Sequence, residues 1–271
     1  MHLLESAASG WGKSYLAHAL IERNIKNRKY DRVVVLDYSD EYRGLCSKKH
    51  GPGLASHWFV GEREHAYFGV AEWTQMIEAN EALVLARHGL NNAEWQEVAT
   101  DVILACRQSA HDVLIAIDEG HKVAPERKSF PDEIEDLATA GRVEGGAATS
   151  SMWMTQRPAQ MSKTIIGNCT ARFLGGYESS NDLDAIKGVL EYPKEAHTSG
   201  GKRVPNLPES LYTEEGEPLS VRKWIDDDER VVDSEWIYSD DVGKVARRRS
   251  SWYSPECEHV GAEGKRIDVG I

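Results

Sequence analysis

The segment Ala7-Ala8-Ser9-Gly10-Trp11-Gly12-Lys13-Ser14 carries the residue types that hold a phosphate anion: flexible glycines, then a lysine and a hydroxyl at fixed spacing. Such an anion is attracted by backbone N–H groups at a helix N-terminus, by an ammonium and, through Mg2+, by a hydroxyl. The usual pattern is GxxxxGK[ST], and Ala7 stands where the first glycine belongs. Gly10 and Gly12 remain to supply positive φ and close backbone approach. Ala8, Ser9, Gly10, Trp11, Gly12, Lys13, Ser14 and Tyr15 are therefore the expected ATP-binding segment.

A second constellation is Val113-Leu114-Ile115-Ala116-Ile117, an apolar run that ends in Asp118-Glu119. Paired carboxylates at a strand end suit nucleotide hydrolysis. The first, Asp118, shares Mg2+ with Ser14, and the second, Glu119, takes the proton of the attacking water, a role worth about 10²–10⁴ in rate. A third is Ser151-Met152-Trp153-Met154-Thr155, a strand pattern that ends in Gln156-Arg157-Pro158. A polar tip beside the acid-bearing strand reaches the γ-phosphate or the lytic water.

Positioning these groups requires strands that alternate with helices, the pattern of a parallel sheet covered on both faces. Expected strands are 1–5, Arg32–Asp37, Ala82–Ala86, Asp112–Glu119, Ser151–Thr155 and Arg172–Tyr177. Expected helices follow the loop and cover Asn91–Gln108, Pro131–Arg142, Pro158–Asn168 and Asn181–Leu190. Gly44–Glu72 reads as loops with short strands, and Leu219–Trp224 with Val231–Tyr238 as a strand pair around Asp226-Asp227-Asp228-Glu229. One domain is expected over 1–239, with a flexible tail over 240–271.

Composition narrows the function classes. The 271 residues include 44 acids against 32 bases, a net charge of −12, which places any polyanion contact on local basic loops rather than on the whole surface. No run approaches the roughly 18 apolar residues of a spanning helix, and no secretory signal is present, so no membrane is expected. Cys46, Cys106, Cys169 and Cys257 lack paired spacing, which argues against a zinc site or disulfide framework and for a reducing cytoplasm.

In order, Gly12-Lys13-Ser14, Asp37-Tyr38-Ser39-Asp40-Glu41-Tyr42, Asp118-Glu119-Gly120-His121 and Thr155-Gln156-Arg157-Pro158 resemble the motif set of the HerA/FtsK superfamily of ring-forming DNA-translocating ATPases. The resemblance covers about residues 1–178. Within the superfamily, the small size and the short stretch before the loop resemble viral or proviral genome-packaging ATPases, archaeal ones among them.

The resemblance implies an α/β, RecA-like P-loop NTPase core with a mostly parallel sheet, helices on both faces and a short C-terminal extension. It implies ATP and Mg2+ as cofactors, Lys13 on the β- and γ-phosphates, Ser14 and Asp118 on Mg2+, Glu119 as base and Gln156 as sensor. It further implies a homo-hexamer in which an arginine completes the neighbouring site. Arg142 is the first candidate for that finger and Arg172 the second. Double-stranded DNA, read without sequence specificity, would meet the basic pair Arg127-Lys128 on its phosphates, with Phe130 packed on the strand. A capsid or nuclease partner and a location in the host cytoplasm or the virion follow from the same resemblance. Two further readings stand beside packaging: a HerA-type DNA-processing motor of repair or a mobile element, and a morphogenesis ATPase that acts on protein.

Overall fold

The computed structural model describes residues 1–139, 147–228 and 230–260. Its first strand, β1 (His2–Ser6), runs into the glycine loop, which opens helix α1 (Lys13–Lys26). There follow β2 (Arg32–Asp37), β3 (Ser56–Val60), α2 (Glu62–Tyr67), α3 (Val70–Ala79) and β4 (Ala82–Arg87). Next come α4 (Asn92–Gln108), β5 (Val113–Ile117), α5 (Gly120–Val123), α6 (Asp132–Thr139) and β6 (Thr149–Thr155). The chain continues through α7 (Lys163–Asn168), β7 (Ala171–Leu174) and α8 (Ser180–Ile186) to β8 (Lys223–Ile225), β9 (Val231–Asp240) and β10 (Val245–Arg249).

The strands make one sheet of order β10-β9-β7-β1-β6-β5-β2-β4-β3, with β8 paired to β9 off this path. The seven strands from β7 to β3 pair in parallel, and the C-terminal strands add antiparallel at the β7 side. Parallel strands covered on both faces need apolar residues at every position. Val33 and Val35 of β2 accordingly face one apolar cluster, while Val34 and Leu36 face the other. Helix α1 covers the first face through Ala17 and Ile21; α3, α4, α6 and α7 cover the second. The N-terminus of α4 is fixed by Asn91, whose Oδ1 accepts the N–H groups of Ala93 (2.8 Å) and Glu94 (3.1 Å).

The expected mostly parallel α/β sheet is present, with three differences in its elements. Gly44–Glu72, expected as loop and short strands, contains α2 and the start of α3. Each starts after a glycine whose N–H is taken by a glutamate three residues on: Gly61 N–H to Glu64 at 3.0 Å and Gly69 N–H to Glu72 at 2.9 Å. The helix expected over Pro158–Asn168 divides into a 3-10 turn, Pro158–Gln160, and α7. The boundary expected at residue 239 falls inside the last sheet pairs: β9 ends at Asp240 and β10 pairs with it. Beyond β10, the N–H groups of Glu256 (2.8 Å) and Cys257 (2.9 Å) bond the Glu22 carboxylate of α1, so the segment to residue 260 is packed rather than free. Residues 261–271 lie outside the described residues.

Candidate nucleotide site

The carboxyl ends of β1, β5 and β6 meet at one edge of the sheet, where open α/β folds bind ligands. At that edge the loop after β1 turns through Gly10 (φ 68°) and Gly12 (φ 85°), both left-handed as the loop chemistry requires. Ala7 lies outside the left-handed region, which explains why alanine serves at the position of the missing glycine. The Ala8 N–H is committed to Gly176 O at 2.9 Å. Among the described residues, the N–H groups of Gly10, Gly12, Lys13 and Ser14 have no acceptor and remain for an anion.

Lys13 and Asp118 come together across the sheet, with Nζ 3.2 Å from Oδ1 and both side chains buried. Burial works against the Lys13 ammonium, but Asp118, Glu119, Glu5 and Glu41 outweigh it and hold its pKa above the ordinary value. Glu119 follows with φ 47° and ψ 48°, a left-handed backbone. Its Oε1 accepts the Gln156 Nε2–H at 3.1 Å. The other oxygen is 3.1 Å from His121 Nδ1, outside hydrogen-bonding geometry, and is buried without a partner. Burial, opposed by Lys13 and reinforced by Asp118, raises the Glu119 pKa to about 7. Burial lowers His121 to about 4, so its imidazole is neutral at neutral pH.

Gln156 is held by the residue before it. Thr155 Oγ1 accepts the Arg157 N–H (3.0 Å) and exchanges a hydrogen bond with His121 Nδ1 (3.0 Å), which ties β6 to the start of α5. The Thr155 carbonyl accepts Ser6 Oγ–H at 2.8 Å, which ties β6 to the strand that feeds the loop. Asp37, expected only as part of an acidic turn, is that turn's clasp: its carboxylate accepts the N–H groups of Ser39, Glu41 and Tyr42 at 3.3, 3.0 and 2.9 Å. Ser14, Lys13, Glu41, Glu119 and Gln156 border a cleft of about 480 Å3.

Trp11, expected within the ATP-binding segment, does not border that cleft. Its indole is 1% exposed and donates Nε1–H to Glu235 O at 3.1 Å, which fastens the loop to β9. Gly175 and Gly176 make room for the ring, since a Cβ on Gly176 would stand 2.3 Å from Trp11 Cη2. Lys223 of β8 adds a bond from Nζ to Gly10 O at 3.1 Å. The sequence signal for this buttress was the glycine pair after β7, which has meaning only once Trp11 is placed against it.

The arginines divide. Arg142 lies outside the described residues. Arg172, the second finger candidate, is buried on β7 and pairs with Asp241 at 2.9 Å within its own chain. Arg127 and Lys128 are exposed and, with Lys122 and Arg157, border a second cleft of about 560 Å3. Among the described residues none of these four cations has an acidic partner within 4.0 Å. Arg157 and Lys122 also border the cleft that holds Glu119 and Gln156. Phe130, expected against the DNA strand, instead packs against the apolar core. Arg247 and Arg249 instead serve the sheet, the first bonded to Glu235 at 2.6 Å and the second to Asp233 at 2.6 Å.

The fold is that of the P-loop NTPases. The family model described as the central domain of the helicase HerA matches residues 1–80. Among solved structures, the genome packaging NTPase B204 of Sulfolobus turreted icosahedral virus 2, in complex with ATP-gammaS, is similar with a TM-score of 0.55. Its identity is 14%, and the match covers 94% of this chain and 97% of that one. B204 described as the DNA-packaging ATPase of Sulfolobus turreted icosahedral virus gives a TM-score of 0.52 at 14% identity, over 91% of this chain and 96% of that one. At such identities the likeness is one of fold. No curated protein matches the sequence. The family model thus matches the HerA resemblance over the stretch that holds the first two of the four motifs, and the B204 likeness matches the expected fold.

Proposed function

We propose that this chain is an ATP-hydrolysing motor that moves double-stranded DNA, with viral genome packaging as its setting. The observation that carries the reading is the convergence at one sheet edge of Lys13, Asp118, Glu119 and Gln156, with Glu119 bonded to Gln156. Lys13 and the free loop N–H groups bind the phosphates, and Ser14 Oγ and the Asp118 carboxylate form an all-oxygen donor set that suits Mg2+. The unpartnered buried oxygen of Glu119 fits a site that awaits a further polar group. Mg2+ supplies neutralisation of the charge that develops on the phosphate oxygens. Glu119 accepts the proton of the attacking water, and Gln156 orients that carboxylate and senses the γ-phosphate.

The family-model match and the likeness to B204 support the motor reading, and the four cations around the second cleft, without acidic partners among the described residues, support a polyanion as its track. Arg127 and Lys128 would touch phosphates without reading bases. In the proposed homo-hexamer Arg142 completes the neighbouring site, and Arg157, exposed at the cleft mouth, is a cation to which the sequence alone gave no role. The net charge of −12 is compatible with the other reading, an assembly ATPase that acts on protein. ATPase rates with and without double-stranded DNA, over a salt series, separate the two. Stimulation that fades with salt supports translocation; no stimulation at any salt overturns it and leaves the protein-directed ATPase.

A further inference from the structure

Helix α1 carries His18 and Glu22 one turn apart on one face, and the chain returns at Cys257 to cover that face. One ligand atom from each (an imidazole nitrogen, a carboxylate oxygen and Sγ) lies within 4.8 Å of the other two, and all three residues are buried. His18 is 0% exposed and neither ring nitrogen has a hydrogen-bond partner. A neutral imidazole stripped of water on both nitrogens is uncompensated unless something else takes its lone pair. Glu22 is oriented from behind by the N–H groups of Glu256 and Cys257. His259 stands edge-on to His18, ring centroids 5.5 Å apart, and its Nδ1 is likewise buried and unpartnered.

We propose that His18, Glu22 and Cys257 bind a zinc ion, with solvent completing the fourth position, and that this ion fastens the C-terminal segment to the P-loop helix. Mixed nitrogen, sulfur and oxygen donors suit Zn2+ and exclude the hard cations, which take oxygen alone. Ligand atoms on tetrahedral zinc stand about 3.5 Å apart, a closure within reach of side-chain rotation. On binding, Cys257 gives its thiol proton to solvent, so affinity falls as pH falls. The separated cysteines gave no sign of this site because its ligands come from opposite ends of the chain. The ion would also shape the nucleotide cleft, since His259 borders it and Tyr15 of α1 donates its hydroxyl to Tyr253 O at 3.1 Å.

The test is a titration of the full chain, cleared of metal by a chelator, with Co2+ and then Zn2+. One equivalent of Co2+ is expected to raise a thiolate-to-cobalt charge-transfer band that Zn2+ abolishes. The band should be lost in Cys257→Ser, weakened in His18→Gln and kept in Cys46→Ser. Zn2+ at a hundredfold above its Kd should raise the wild-type Tm by roughly 5–10 °C. No band in the wild type, or one that persists in Cys257→Ser, overturns the proposal. X-ray absorption of the zinc-loaded wild type decides without any variant. A shell with sulfur at about 2.3 Å beside N/O at about 2.0 Å supports the site; a shell without sulfur rejects it.

Discussion

Glu119 holds a left-handed backbone that costs a non-glycine residue roughly 1–2 kcal/mol, and its carboxylate is held at the cleft by Gln156. Strain kept at such a position belongs with chemistry rather than with packing. In Glu119→Gln the amide keeps the shape and loses the base, so nucleotide binding should persist while turnover falls by about 10²–10⁴. Fluorescent-nucleotide binding alongside phosphate release would check this, and near-normal turnover would remove Glu119 from the role. Beneath the loop, Glu5 of β1 is fully buried with both carboxylate oxygens unpartnered, and burial above all raises its pKa well above the ordinary 4.5. The folded chain therefore keeps this proton to a higher pH than the unfolded chain does. Its stabilising contribution is complete below about pH 4.5 and is lost as the pH rises towards the folded value, by at most about 1.4 kcal/mol per pH unit. Glu5→Gln removes that titration, so thermal unfolding followed from about pH 5 to 8 should show a shallower decline in Tm than the wild type. An equal decline would show that Glu5 does not titrate across the window.

Among the elements, those that packing alone dictates were legible in the sequence. Strand β2, Arg32–Asp37, has the expected bounds because a two-faced parallel strand is apolar at every position. Helices α2 and α3 were not legible because glycine–glutamate backbone caps replace the usual side-chain caps, and charged residues dominate α2. In the site, Lys13, Asp118, Glu119 and Gln156 converge as their order implied, since each lies at the end of a strand or the start of a helix. The part that could not be read is the buttress, because the contacts of Trp11 and Gly176 join segments with no mutual signal along the chain. Gly176→Ala places a methyl where the Trp11 ring lies. Overpacking of this kind costs about 1–3 kcal/mol, so the variant should unfold at lower urea and bind nucleotide more weakly. Addition of Trp11→Leu should recover part of the loss, a non-additivity that a double-mutant cycle reads directly. Purely additive losses would mean that the two positions do not press on each other.

For the molecule as a whole, an acid-rich composition with a cleft whose four cations lack acidic partners among the described residues concentrates any polyanion contact at Lys122, Arg127, Lys128 and Arg157. If DNA phosphates lie there, Arg127→Ala with Lys128→Ala should weaken binding alike for all sequences. The slope of log affinity against log salt should fall by about 0.9 for each phosphate that is no longer neutralised. An unchanged slope would move the track elsewhere.

The tie between Trp11 and Glu235, 224 residues apart, also bears on when the protein becomes competent. Strand β1 lies inside the sheet between β6 and β7, and its loop is braced by β8 and β9, so the loop residues must wait for partners made 213 and 224 residues later. Contacts of such long sequence separation form slowly. A chain on which β8 and β9 have not yet been made thus has the lysine and the glycines but not the brace that holds them, and the loop takes its shape only once those strands have emerged.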